Sequence, residues 1–221
     1  MRKTLFALAA LVLLALPASA LADTITFTPN PADLNDLDHH MAYTWRVNNV
    51  NLHGQTITGA KLTIKNIRNW DGNRNMLFIH LLDTARSAGV AGFVDDPTNS
   101  VPVTDIRDDF VDPRYHSLSS WLVAPGTADT FLTSRSFTTT AENFVFNLNA
   151  AQLNALGAYI LNGGDFAFGV DPDCHFFNDG FTFEITTGPT SVPEPTTMVL
   201  LATGLGGMYL RRRKRQQQIQ A

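Results

Sequence analysis

The most regular feature of the chain is an alternation of apolar and polar positions with a period of two. Tyr43, Trp45 and Val47 form one series, and Leu62 and Ile64 form another, with Lys61, Thr63 and Lys65 between and beside them. Phe144, Phe146 and Leu148 repeat the pattern, as do Phe166, Phe168 and Val170 and then Phe181, Phe183 and Ile185. Successive side chains of a strand point to opposite faces. Each series therefore predicts a strand with one packed and one wet face, as in antiparallel sheets. The run MLFIHLL (76–82) is apolar almost throughout and predicts a strand buried on both faces. Residues 84–120, rich in Asp and Ser, have little periodicity and read as long loops with one or two short strands.

One segment changes period. Asn149 is placed to cap a helix in which Leu153, Leu156, Ile160 and Leu161 follow helical spacing, and Gly163-Gly164 ends it. Several strands, one short helix and no fixed-period repeat predict one all-β domain over 23–187. Its expected form is an antiparallel β-sandwich of jelly-roll type.

Both ends break this pattern. Arg2 and Lys3 precede an apolar run from Leu5 to Leu16, then Pro17 and the small-residue stretch ASALA. That order predicts a secretory signal peptide over 1–22. Its cleavage sites overlap at Ala20 and Ala22, and Ala22 is preferred because Pro17 then closes the apolar region. The Sec translocon and signal peptidase are the partners this implies. At the other end, 188–195 is a Pro/Thr/Ser-rich linker, followed by 15 uncharged residues at 196–210. As a transmembrane helix those residues would extend roughly 22 Å against a hydrocarbon core of about 30 Å. Gly204, Gly206 and Gly207 weaken it further as a permanent anchor. Arg211, Arg212, Arg213, Lys214 and Arg215 open the tail 211–221 as a stop-transfer cluster held on the cytoplasmic side.

Setting the ends apart changes the charge picture. Residues 23–190 carry 9 cationic and 19 anionic side chains, a net −10, whereas the whole chain is at −4. So acidic a body repels phosphate backbones, which excludes nucleic acid as a partner. Of the 20 acidic residues only Glu142, Glu184 and Glu194 are Glu. Such an excess of Asp favours turns between strands, with calcium as the alternative explanation. The one cysteine, Cys174, leaves no internal disulfide, so stability must come from burial.

The densest candidate chemistry is DPDCHFFNDG, Asp171 to Gly180. Asp171, Asp173 and Asp179 could supply oxygen ligands to calcium. The spacing fails as an EF-hand, because Phe176 stands where Gly is needed and Thr182 where the bidentate Glu belongs. A structured turn with Phe176 and Phe177 packed inward is the plainer reading. Cys174 and His175 are adjacent and so point apart on an extended chain. A catalytic pair would need His39, His40, His53, His80 or His116 from a distance. In DLNDLDHH (33–40), Asp36, Asp38, His39 and His40 could hold zinc, but no H-x-H or H-x₃-H pairing is present and a polar turn is expected. TDIRDDFVDP (104–113) reads as a solvated acidic loop around Arg107. Trp70 and Trp121 are candidate sugar-stacking aromatics, although a Trp in a sandwich is usually core. No phosphate loop, dinucleotide fingerprint, G-x-S-x-G or H-E-x-x-H occurs, so no catalytic residue is assigned and no cofactor other than calcium is expected.

In the tail a resemblance becomes specific. Val192, Pro193, Glu194 and Pro195, a short Gly-containing apolar segment and a terminal Arg cluster resemble the PEP-CTERM sorting signal. That signal is found on exported proteins of Gram-negative bacteria, many of them exopolysaccharide producers. The resemblance implies transient retention in the inner membrane and recognition by an exosortase, a membrane-embedded cysteine protease that removes the tail near the motif. The body, most of all NLNAAQLNALGAYILNGGDFAFGVDPDCHFFNDG, resembles a recurrent β-rich region of such proteins without an assigned activity. Three functions follow as expectations. The first is a non-enzymatic exported protein at the cell surface or in the extracellular polysaccharide matrix. The others are a calcium-dependent carbohydrate-binding module and a secreted hydrolase.

Overall fold

The computed structural model describes residues 22–39, 41–94, 108, 110, 122–124, 126–189, 200, 203–207 and 211. The body, Ala22–Gly188, is a unit separate from the terminal segments. Its strands are β1 (Asp23–Phe27), β2 (Met41–Val47), β3 (Thr56–Asn69), β4 (Met76–Leu82), β5 (Gly89–Val94), β6 (Asp129–Ser136), β7 (Glu142–Asn147), β8 (Phe166–Pro172), β9 (Phe176–Phe177) and β10 (Phe181–Gly188). Among the described residues one long helix, α1 (Ala150–Gly163), lies between β7 and β8.

All pairings are antiparallel. One sheet runs β1-β10-β3-β7, with β9 paired to the far end of β3, and the other runs β5-β2-β8-β4-β6. The chain passes back and forth between the sheets, and strands from its start lie beside strands from its end: β1 pairs β10 and β2 pairs β8. This is the rolled-up double Greek key of a jelly roll. Two edges, β5 and β9, are additions to it.

The alternating series form the space between the sheets. Leu62, Ile64, Phe181, Phe183 and Ile185 from the first sheet meet Trp45, Val47, Phe166, Phe168 and Val170 from the second in one buried cluster. Phe183 stands edge-on to Phe168 at 4.8 Å between centroids and to Phe166 at 5.5 Å, geometry that aromatic quadrupoles favour. Across the second sheet Trp45 stacks on Phe168 at 5.3 Å.

The second sheet is buried on its other face as well, which accounts for the apolar run of β4. Ala42, Leu82 and Ala167 on that face pack with Phe110, Leu122 and Val123. Small residues give these side chains room. A Cβ on Gly169 would come within 2.8 Å of the Phe110 ring. Of the 84–120 segment, the expected short strand is β5, while 95–107, 109 and 111–120 lie outside the described residues.

Helix α1 begins and ends as expected. Asn149 and Gln152 form a reciprocal capping box, and Gly164 closes the helix in the left-handed conformation at φ 73°. Its packed face differs from the expected one. Gln152, Leu156, Tyr159 and Ile160 are buried, whereas Leu161 is 86% exposed. Positions i, i+4, i+7 and i+8 form one stripe, and a further 100° of rotation carries Leu161 out of it. Gln152 and Tyr159 can be buried because β6 satisfies them. Gln152 Nε2 donates to the carbonyl of Leu132 at 3.0 Å, and the Tyr159 and Thr130 hydroxyls lie 2.8 Å apart.

The signal peptide assigned to 1–22 lies, apart from Ala22, outside the described residues, and so do Val192, Pro193, Glu194, Pro195, Arg212, Arg213, Lys214 and Arg215. Of the segment 196–210, Leu200 and residues 203–207 are helical, as is Arg211 beyond it. Among the described residues no helix is long and apolar enough to cross a membrane.

Candidate functional site

Three connections of the jelly roll meet through hydrogen bonds, the first two each bonded to the third. They are the turn between β1 and β2, the β3–β4 loop and the segment from β8 to β10. The first contains a left-handed turn, Leu34 to Leu37, with φ between 45° and 63°. Such backbone is unfavourable for L-residues, and here the fully buried Leu34 and Leu37 side chains hold it in place. The turn is tied to the last connection by Asn178, whose backbone N–H donates to Asp36 Oδ1 at 3.1 Å and whose amide donates to the Asp33 carbonyl at 2.9 Å. The Trp70 backbone N–H donates to the His175 carbonyl at 3.2 Å.

This arrangement brings together residues that the sequence separates. His175 Nδ1 lies 3.3 Å from Asp38 Oδ1, and His39 Nδ1 lies 3.1 Å from the same oxygen. His175 Nε2 is buried, has no hydrogen-bond partner, and faces Asp36 Oδ2 at 3.6 Å. Among the described residues, Asp38, His39 and His175 are the group of three whose ligand atoms lie within 4.8 Å of one another. The expected set in DLNDLDHH is thus changed. His175 joins Asp36, Asp38 and His39, while His40 lies outside the described residues.

Asp171, Asp173 and Asp179, the candidate calcium ligands, do not converge as such a group. Asp171 is not in a loop. It is a buried residue of β8 opposite Phe78 of β4. Asp173 follows in the turn, its backbone N–H donating to the Met76 carbonyl at 2.9 Å. Asp179 sits on the far side of β9 and accepts from the Asn66 amide at 2.5 Å. The short strand β9 separates it from the other two, which local spacing in the sequence does not reveal. Phe176 is packed inward as expected, but Phe177 is half-buried beneath the Arg68 guanidinium at 4.8 Å.

Cys174 and His175 turn to different partners. The Trp70 indole N–H points at Cys174 Sγ at 3.1 Å, and burial pushes the thiol up from its ordinary pKa. A thiol held protonated is a poor nucleophile. Trp70 itself is 56% exposed, against 3% for Trp45. Asn69, Asn75 and Asp71 brace its loop through amide hydrogen bonds of 2.8 and 3.1 Å. Trp121 lies outside the described residues.

A second polar cluster is buried in the outer face of the second sheet. His80, in the middle of β4, is fully enclosed. Its Nδ1 is 2.9 Å from Asp129 Oδ1 and its Nε2 is 2.9 Å from Asp108 Oδ2. Burial alone would lower the imidazole pKa, but the hydrogen bonds and charges of Asp108 and Asp129 outweigh it and raise the value to about 9. His80 is therefore an imidazolium between two carboxylates at neutral pH, with Phe110 and Phe131 each 5.3 Å from its ring. This corrects the reading of Asp108 as part of a solvated loop, since its side chain is only 13% exposed. The sequence did hold a signal: a histidine inside an apolar run needs a polar partner.

The fold makes the body a jelly-roll β-sandwich. Its identity comes from the tail. Residues 191–214 match the family model of the PEP-CTERM protein-sorting motif, so the chain carries that signal. The match includes the Val192–Pro195 motif and the first four cations of the terminal cluster. The signal implies an exported protein that is sorted by an exosortase and held in the membrane through its C-terminus before processing. No curated protein matches the chain.

Proposed function

We propose that this is a non-enzymatic exported protein whose jelly-roll body acts at the cell surface or in the exopolysaccharide matrix after an exosortase removes its tail. The sorting motif at 191–214 carries this reading. The body adds support through chemistry. Cys174 is held protonated, and both ring nitrogens of His80 are committed to ion pairs, so neither is poised as a nucleophile or base. The net −10 of residues 23–190 suits a soluble body outside the cell.

The test is processing in a host that has an exosortase. The wild-type chain loses a C-terminal tag and its body appears outside the inner membrane. The triple change Pro193→Ala, Glu194→Ala and Pro195→Ala retains the tag, as does wild type in a host lacking the protease. A body that stays in the cytoplasm, or a tail that is never cut, overturns the proposal.

A second reading, binding of carbohydrate by aromatic stacking, is favoured by the exposure of Trp70 beside the Asp/His cluster. Its expected result is quenching or enhancement of Trp fluorescence by polysaccharide from the host, lost in Trp70→Ala. An unchanged response in that variant removes the reading. The calcium-dependent form has no comparable support, because its three aspartates are not gathered.

A further inference from the structure

We propose that Asp38, His39 and His175 bind a divalent transition-metal cation of the zinc class, with Asp36 orienting His175 from behind. The first support is geometric. Two donors bonded to a tetrahedral zinc at about 2.0–2.1 Å lie roughly 3.4 Å apart. Asp38 Oδ1 stands 3.1 Å from His39 Nδ1 and 3.3 Å from His175 Nδ1, so two of the three edges already have this length. The third pair lies within 4.8 Å, which the half-exposed His39 side chain can shorten by a small rotation.

The second support is the far nitrogen of His175. Ligating histidines usually donate their other ring N–H to a carboxylate, which fixes the tautomer and raises ligand basicity. With Nδ1 turned to the metal, Nε2 carries the hydrogen and faces Asp36 Oδ2 at 3.6 Å. That nitrogen is buried and lacks a hydrogen bond, so a slight closure around a cation would satisfy it. Asp36 is in turn held by the Asn178 backbone N–H at 3.1 Å, and Asp38 Oδ1 by the His39 backbone N–H at 2.9 Å.

Donor chemistry selects the cation. Two imidazoles and one carboxylate suit zinc and its neighbours, whereas calcium takes six to eight oxygens. Residues 38 and 39 are separated from 175 by most of the body, so the metal would cross-link the β1–β2 turn to the start of β9. In a chain with one cysteine and no internal disulfide, such a link fits the demands of life outside the cell.

The test uses the full chain, stripped with EDTA, dialysed and titrated with zinc chloride. One zinc binds per chain and raises the melting temperature by about 5 °C at saturating metal. His39→Ala and His175→Ala each abolish the rise. Asp36→Asn keeps the stoichiometry but weakens zinc binding by about 10- to 100-fold. His53→Ala, at an exposed histidine elsewhere, leaves binding unchanged. If His175→Ala fails to fold, His39→Ala decides alone, because its side chain is half exposed and not part of the core. Absence of saturable zinc binding, binding unchanged in His39→Ala, or a response to calcium in place of zinc overturns the proposal.

Discussion

Replacing His80 by alanine is expected to lower the stability of the body by about 3–5 kcal/mol, the usual cost of removing one partner from a buried ion pair. The loss arises from what remains. Asp108 and Asp129 would face each other across a cavity with no cation between them, and Phe110 and Phe131 would lose the ring they pack on. Denaturant melts of wild type and His80→Ala measure the difference. The same residue gives a pH signature. Its folded pKa of about 9 lies above the ordinary 6.5, so its contribution is fully present below pH 6.5 and is lost as the pH rises through about 9. Over that window wild type should lose on the order of 3 kcal/mol, whereas His80→Gln should show a much flatter profile. Parallel profiles would contradict the assignment of a charged His80.

The other large effect is expected at Phe183. Its side chain is fully buried where the two sheets meet, edge-on to Phe166 and Phe168. Phe183→Ala removes a ring from the middle of the sandwich, and neither backbone can collapse into the gap while its ladder hydrogen bonds persist. A loss of about 3–5 kcal/mol follows. Leu161→Ala on α1 is the control. Though apolar and at helical spacing, Leu161 is exposed, and its removal should change stability by no more than about 0.5 kcal/mol. Chemical denaturation of both variants compares the two sites directly. A large loss at Leu161 or a small one at Phe183 would reverse the assignment of core and surface.

These two sites differ in how legible they were. Phe183 belongs to the series Phe181, Phe183, Ile185, whose alternation marks an inward face without any knowledge of the partner sheet. All five alternating series became strands with apolar residues in the central cluster. The edge strands were harder to read. In β6 the apolar residues Phe131 and Leu132 are adjacent, so the pattern does not mark a face, and β9 is only two residues long. Leu161 was misplaced because a helix stripe can be completed by polar residues when a neighbouring strand satisfies them, as β6 does for Gln152 and Tyr159.

By itself the sequence determined the sandwich, its inward faces, the capped helix and the sorting tail. Strand faces follow from a two-residue period and helix ends from local capping. The sorting signal is a linear motif, so its recognition requires no folding of the body. Only the tertiary structure decided the polar sites. His80 meets Asp108 and Asp129 from 28 and 49 residues away, and His175 meets Asp38 from 137 residues away. Such pairs form because the jelly roll lays β4 beside β6 and brings the β1–β2 turn against the start of β9. Contacts set by strand order leave no spacing signature along the chain, and the side chains that make them resemble ordinary loop residues until the strands are paired.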